Sequence, residues 1–323
     1  MSTGDVAHSE LDQVLDPTVL YVGGWGRSGS TLLECLLAEV DGTVALGEVV
    51  HLWERGLKQD QLCACGANFH ACDFWREIGS VAFGGWSAVD LDRVRFLAGA
   101  VDRQRWIPQS GRRSPSPEFA ALAVEYASYY QRIYRAAATI TGARVVIDSS
   151  KEIPTALALS HLVDLDLRVL HIVRDARGVA YSWSKVVERP EADGEPMPRF
   201  SPARSTTFWL SGNLTVAALR HRGVPVARLR YEDLVEAPVP TIRAAWERLG
   251  VPLQLDVPMV DDTAIELGAT HSVAGNPMRF RRGLTRLRAD EAWRTALPER
   301  DRRVVTAMAW PVLKSFGYLE ANR

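Results

Sequence analysis

The sequence predicts an α/β fold in three layers: a central, mainly parallel sheet with helices on both faces. Three observations carry this expectation. Short apolar runs recur at residues 19–22, 144–148, 167–175 and 224–231, each of strand length and bounded by turn residues. Helical apolar periodicity follows them, as in Leu32, Leu33, Leu36 and Leu37. The first strand and helix are joined by a turn carrying Gly23, Gly24, Gly26 and Gly29. Strands alternating with helices require parallel pairing, and a parallel sheet must be covered on both faces.

Taken in order, residues 1–17 read as a loose tail and 18–323 as a single domain, because no composition break or internal repeat divides them. After the first helix, 43–50 reads as a short extended segment carrying Glu48. Residues 54–76 are polar and hold three of the four cysteines, which suggests a surface excursion. Residues 86–107 and 117–138 are expected to be helical, the latter with Phe119, Leu122, Tyr126, Tyr129 and Ile133 on roughly one face. A loop rich in Ser, Pro and Arg separates them. Strands are expected at 144–148, 167–175 and 224–231, and helices at 154–163, 178–188, 205–222 and 239–249. The segment 189–203, with Pro190, Pro196, Pro198 and Pro202, is long and polar enough to act as a flap.

Composition excludes several classes. With 47% hydrophobic and 24% charged residues and a net charge of −1, the chain lacks the basic field of a nucleic-acid binder. The acidic N-terminal stretch is neither a secretory signal nor a transit peptide, and no apolar run approaches a membrane span. Four cysteines in 323 residues do not suggest a disulfide scaffold. A cytoplasmic protein is the expectation, and a homodimer is compatible with the sequence.

The glycine-rich turn carries the chemistry. Gly24, four residues, Gly29 and then Ser30-Thr31 match the P-loop frame G-x-x-x-x-G-K-[ST], with Ser30 where the lysine belongs. A P-loop-type core follows. Backbone N–H groups and a helix N-terminus suit an anion there. The missing lysine argues against transfer of a phosphoryl group from ATP. Arg27 stands inside the loop instead. An ordinary tight βα turn would use glycine in the same way.

Arg27-Ser28-Gly29-Ser30-Thr31, preceded by Gly26, resembles the 5′-phosphosulfate loop of sulfotransferases that use 3′-phosphoadenosine 5′-phosphosulfate (PAPS). A second segment, 169–183, ends a strand with Arg174 and places Ser182 eight residues on. It resembles the family's 3′-phosphate site, although an Arg–Asp pair capping a helix would look the same. Arg281-Arg282-Gly283 resembles the late Arg-Lys-Gly element that completes this site, with Arg282 where the pattern has Lys. Tyr231 lies in a Tyr-Glu-Asp segment whose tyrosine sits near the adenine in the family.

The resemblance also implies catalytic roles. No Lys-Thr-His segment is present. Members with Arg in the loop, such as tyrosylprotein sulfotransferases, take their base from a glutamate shortly after the first helix, where Glu48 stands. His51 is the reserve. Lys151 resembles the lysine those enzymes set against the transferring group. The implied reaction is in-line sulfuryl transfer from PAPS to a hydroxyl of a small-molecule, glycan or lipid-linked acceptor, leaving 3′-phosphoadenosine 5′-phosphate (PAP). It calls for no metal and no nucleic-acid partner. His51, Trp53, Trp86, Trp106, Trp183 and the flap are candidates to line the acceptor pocket. Two alternatives keep the fold: a P-loop kinase or NTPase with Asp148 as a Walker-B-like ligand, and a non-catalytic nucleotide-binding protein.

Cys63, Cys65, His70 and Cys72 are ligand types that zinc accepts. Cys-x-Cys is not zinc-ribbon spacing and no second cysteine pair exists, so the stretch reads as a thiol-bearing loop near the acceptor entrance, without metal ligands. Cys35 reads as a core residue on the first helix.

Overall fold

A computed structural model of the protein describes residues 16–188 and 196–319. Five parallel strands form the central sheet: β1 (Thr18–Gly24), β2 (Thr43–Ala45), β3 (Val145–Lys151), β4 (Leu167–Val173) and β5 (Val226–Arg230). They are ordered β2-β3-β1-β4-β5, so the chain leaves β1 toward one edge and later returns to the other side. Crevices at such a reversal, outside strand C-terminal ends, are where open α/β sheets bind ligands.

Strand alternation builds two cores. Val19 and Tyr21 of β1 point to one face, Leu20 and Val22 to the other, and all four are fully buried. On the first face lie the helices Asp73–Phe83, Leu91–Val101 and Pro117–Thr141. On the second lie the helices Ser30–Ala38 and Pro238–Leu249. Full burial of each large apolar side chain contributes roughly 1.5–3 kcal/mol, so a sheet covered on both faces is the main source of stability.

The longest helix shows how sequence sets an element. Ser116 caps it by accepting from Phe119 N–H, Pro117 occupies its first turn, and Gly142, in the left-handed region, ends it. Tyr126, Tyr130 and Tyr134 recur every four residues and meet the sheet side as a buried polar seam. Tyr126 donates to Asp102 at 2.8 Å and Tyr134 to Asp148 at 2.5 Å. Asp148 also accepts from Ser150 N–H, and burial pushes its carboxyl up to about 6.

Several expectations need correction. Residues 54–76 are not a surface excursion. Cys63, Phe69, Cys72 and Trp75 are buried in the first core, and a π-helical stretch, Leu52–Lys58, leads into them. The expected helix at 86–107 is broken into a 3-10 turn, Trp86–Ala88, and the helix Leu91–Val101, capped by Asp90. The expected helix at 205–222 is two, Pro202–Leu214 and Val216–His221. A second sheet, unread in the sequence, has antiparallel strands β6 (Met259–Asp261), β7 (Ala264–Leu267) and β8 (Gly283–Arg286). Most of the expected tail, and 189–195 of the expected flap, lie outside the described residues. No described helix is long and apolar enough to cross a membrane.

Candidate active site

A cavity of about 450 Å³ opens over the C-terminal ends of the central strands. Its floor is the turn from β1 into the helix Ser30–Ala38. Gly29 caps that helix with φ 92°, and an added Cβ would lie 2.5 Å from the Tyr231 ring, so both conformation and packing require glycine. Arg27 also has positive φ, 70°, a strained state that persists where surrounding structure enforces it. Its guanidinium lies over the Trp183 ring at 5.1 Å and donates to Met197 Sδ at 2.9 Å. Burial lowers its pKa, and the negative charge of Glu48 opposes that. Its Nε is buried and has no hydrogen-bond partner among the described residues. A cation lining a cavity beside a helix-starting turn fits an anion.

The sheet order sets out the remaining groups. Beyond β2 comes Glu48, at the end of β3 Lys151, beyond β1 the Arg27 loop, beyond β4 Arg174, and beyond β5 Tyr231. All five line the cavity, with Gly26, Gly29, Ser30, Thr31, His51 and Ser182. Ser28 is fully buried and is not part of the lining.

Glu48 is held from three sides. Gly47 precedes it with φ 81°, and a Cβ there would meet Val273 N at 2.7 Å. Lys151 Nζ donates to Glu48 Oε1, and His51 Nε2 lies 3.3 Å from Oε2. Burial alone would raise this carboxyl, but the Lys151 ammonium and His51 outweigh it and hold it well below the usual carboxylate range. Lys151 reaches inward because β3 carries one extra residue against β1, between the Tyr21–Asp148 and Gly23–Lys151 pairings. Such a bulge re-aims a side chain, and Lys151 takes φ 68° there.

At the other end, Arg174 is buried with its guanidinium 4.5 Å over the Tyr231 ring. It donates to Arg27 O at 3.3 Å and Asp290 O at 2.8 Å, and pairs with the Asp290 carboxylate at 3.2 Å. Asp175 caps the helix Ala176–Ser184 and pairs with Arg177 at 2.5 Å, so the capping role falls to Asp175 and leaves Arg174 to the cavity.

Some expected residues lie elsewhere. Arg281 is exposed, Arg282 donates to Ala64 O and to Cys65 O at 2.9 Å, and Gly283 opens β8. None of the three lines the cavity, because the antiparallel sheet carries that turn away; Gly275, Asn276 and Met278 of the same segment line it instead. Trp53 is buried against Tyr129 and Tyr130, Trp86 donates to Trp75 O, and Trp106 donates to Gly99 O. These three tryptophans serve packing; of that group, His51, Trp183 and, from the flap, Met197 and Pro198 line the cavity. Asp148 is spent on Tyr134 and Ser150 and is not part of the lining.

Besides Gly275, Asn276 and Met278, the cavity residues Trp25, Arg55, Ser150, Glu152 and Asp290 escaped sequence reasoning. Burial pushes the Glu152 carboxyl up to about 7. Its adjacency to Lys151 was the available signal. Nothing local marked Asp290, whose place depends on a long-range turn.

A mixed set of cations and carboxylates thus lines one cavity, suited to an anionic ligand at the loop and proton transfer at Glu48. Residues 19–255 match the family model described as "Sulfotransferase family". The chain is 29% identical to human carbohydrate sulfotransferase 3 over 171 residues, 48% of this chain and 34% of that protein. It therefore spans about a third of the length of that relative. The sulfotransferase domain of the Synechococcus PCC 7002 olefin synthase is 19% identical, with TM-score 0.43 over 92% of this chain and 96% of that one. The sulfotransferase domain from the curacin biosynthetic pathway is 15% identical, with TM-score 0.45 over 92% and 99%. With the family match covering most of its length, this chain belongs to the sulfotransferase family.

Proposed function

We propose that the protein transfers a sulfuryl group from PAPS to an acceptor hydroxyl. The observation that carries this reading is the convergence of Arg27 and Arg174 on one cavity that ends at the Glu48–Lys151 pair. The 5′-phosphosulfate would lie on the turn, against the N–H groups of the helix N-terminus and Arg27. Arg174 and Ser182 would hold the 3′-phosphate, and Tyr231 would border the adenine. In transfer, the acceptor oxygen bonds to sulfur as the bond from sulfur to the 5′-phosphate oxygen breaks, and the acceptor proton passes to Glu48. Arg27 and Lys151 stabilise charge on the sulfuryl group and on the departing PAP.

The clamped Glu48 carboxylate is a weak base while Lys151 holds it. A bound phosphosulfate competes for the Lys151 ammonium, and each step Lys151 takes toward the donor makes Glu48 more basic. Donor binding and base activation are then one movement. The acceptor name of the human relative makes a glycan hydroxyl the first class to screen, ahead of small-molecule and lipid-linked alcohols. Residues 18–323 serve as one domain in this reading, with Met197 and Pro198 bordering the cavity from the flap side.

Calorimetric titration with PAP, beside ATP with Mg²⁺, tests the proposal. Tight binding of PAP with weak binding of ATP is the expected result. The reverse would overturn it in favour of a kinase.

A further inference from the structure

Behind the Glu48 end of the cavity, two distant segments meet at a cluster of soft ligands. Cys63, Cys65, Cys72 and His271 present three Sγ atoms and one ring nitrogen, all within 4.8 Å of one another. Cys65 and Cys72 sulfurs are 3.7 Å apart, and those of Cys72 and Cys63 3.8 Å. His271 Nδ1 lies 3.3 Å from Cys72 Sγ and 3.8 Å from Cys63 Sγ. A tetrahedron with Zn–S near 2.3 Å and Zn–N near 2.0–2.1 Å has S···S edges of roughly 3.8 Å and S···N edges of roughly 3.6 Å. These four distances, 3.3–3.8 Å, lie close to those edges, and the remaining two are within 4.8 Å. The sulfurs are too far apart to be bonded, all three cysteines are free, and three thiols cannot pair completely.

The surroundings are built to hold it. An antiparallel bridge from Leu62 to Asn68 and the Cys63 N–H to Ala67 O bond at 2.8 Å close a tight knuckle. Gly66, with φ 96°, turns it. The Cys65 and Trp75 backbone N–H groups face the sulfurs of Cys63 and Cys72. Cys72 sits at the N-terminus of the helix Asp73–Phe83, where the helix dipole favours a thiolate. Arg282 places its cation on the Ala64 and Cys65 carbonyls, beside what would be a net negative centre. The His271 ring is stacked on Phe74 at 4.6 Å, and its carbonyl accepts from Trp75 Nε1 at 2.8 Å. His70, the ligand type nearest in sequence, is not in the cluster: it is exposed, and its Nε2 meets Leu57 O at 3.0 Å.

We propose that Cys63, Cys65, Cys72 and His271 bind one zinc ion with a structural role. Three soft sulfurs and an imidazole in tetrahedral array select zinc, and four protein ligands leave no open position for catalysis. The metal ties the 62–75 knuckle to 271–276, whose Ala274 O accepts from Glu48 N–H at 3.3 Å and whose Gly275 and Asn276 line the cavity. It therefore fastens the wall against which Glu48 is set. The proposal departs from the sequence expectation of no metal ligands. Spacing could not reveal a site whose fourth ligand is 199 residues from Cys72.

The test uses the full chain, purified without a histidine tag and under reducing conditions. Elemental analysis should find about one zinc per chain. Cobalt(II) exchange should give the intense visible bands of a tetrahedral site with near-ultraviolet thiolate charge transfer. A mercurial that titrates the cysteines should release the zinc. His271→Ala should lower retained zinc by about tenfold or more, while His70→Ala keeps it; the cobalt spectrum of the unmodified chain stands even if the first variant folds poorly. The proposal is overturned by a folded, reduced chain that takes up neither zinc nor cobalt, by iron in place of zinc, by a native disulfide among the three thiols, or by metal loss in His70→Ala alone.

Discussion

Lys151 and Glu48 form a buried ion pair across adjacent strand ends, with the lysine aimed by a bulge and the glutamate by a left-handed glycine. Removing one partner of a buried pair strands the other charge, which typically costs about 3–5 kcal/mol. Lys151→Met should therefore lower the thermal midpoint at neutral pH. The depressed Glu48 carboxyl contributes stability above its unfolded value, lost as pH falls through the folded one. Without Lys151 that carboxyl rises, so the acid limb of the kcat/KM profile should move to higher pH while turnover falls by roughly 10²–10³. An unmoved acid limb would separate Glu48 from the observed titration.

Glu48→Gln should leave PAP affinity nearly unchanged and reduce turnover by about 10²-fold or more, as loss of a general base does. Glu152→Gln is the necessary companion, because Glu152 lines the same cavity with its carboxyl raised to about 7. Steady-state kinetics on both variants decides. A large loss in Glu152→Gln with normal turnover in Glu48→Gln would transfer the base role.

At the opposite end, Arg174 pairs with the Asp290 carboxylate at 3.2 Å, an anion that would compete with the 3′-phosphate of the proposed donor. Arg174→Ala should weaken PAP binding by about 10–100-fold, the range of a charge-assisted contact. Asp290→Asn should tighten it, since a competing anion is removed. Calorimetry reads both signs, and tighter binding in Arg174→Ala would reverse the assignment.

Gly29→Ala combines a positive φ with a Cβ 2.5 Å from Tyr231. The expected cost is about 1–3 kcal/mol of stability, together with weaker PAP binding. Chemical denaturation and calorimetry measure the two effects separately.

Glu34 is fully buried in the first helix, accepts from Ser149 at 2.5 Å and from Ser272, and burial pushes its carboxyl up to about 7. A raised carboxyl means the folded state holds a proton that the unfolded chain releases. Its contribution is complete below the ordinary glutamate value and is lost as pH rises toward about 7. Wild-type stability should therefore fall relative to Glu34→Gln across that window, by on the order of 3 kcal/mol. Parallel stability curves for the two proteins would contradict this.

The parts of the fold and site that were legible share one property: their determinants are local. The four longer central strands, the capped helix after Ser116 and the loop from Gly26 to Thr31 each carry their pattern within a dozen residues, and Arg174 and Tyr231 follow from strand ends. What escaped depends on remote contacts. Arg281 and Arg282 matched a motif, but the antiparallel sheet that moves them is made of three- and four-residue strands with no strong period. Trp53 and Trp86 looked like ligand-facing aromatics because nothing nearby reveals that Phe69, Tyr129 and Phe83 cover them. The His271 ligand and the Asp290 brake on Arg174 are invisible until the chain closes.

The order of groups along the five strand ends has a consequence for how such a protein diversifies. Strands lie about 4.8 Å apart, so the sheet works as a graduated scale. In the proposed reading, donor recognition spans the β1, β4 and β5 marks and the base stands at the β2–β3 marks. The long insertion between β2 and β3, residues 46–144, brings Glu48, His51 and Arg55 to the cavity. Under that reading, changes in the insertion would alter the Glu48 end of the cavity while the Arg174 and Tyr231 positions stay untouched, so that acceptor range and donor affinity would be separately heritable traits.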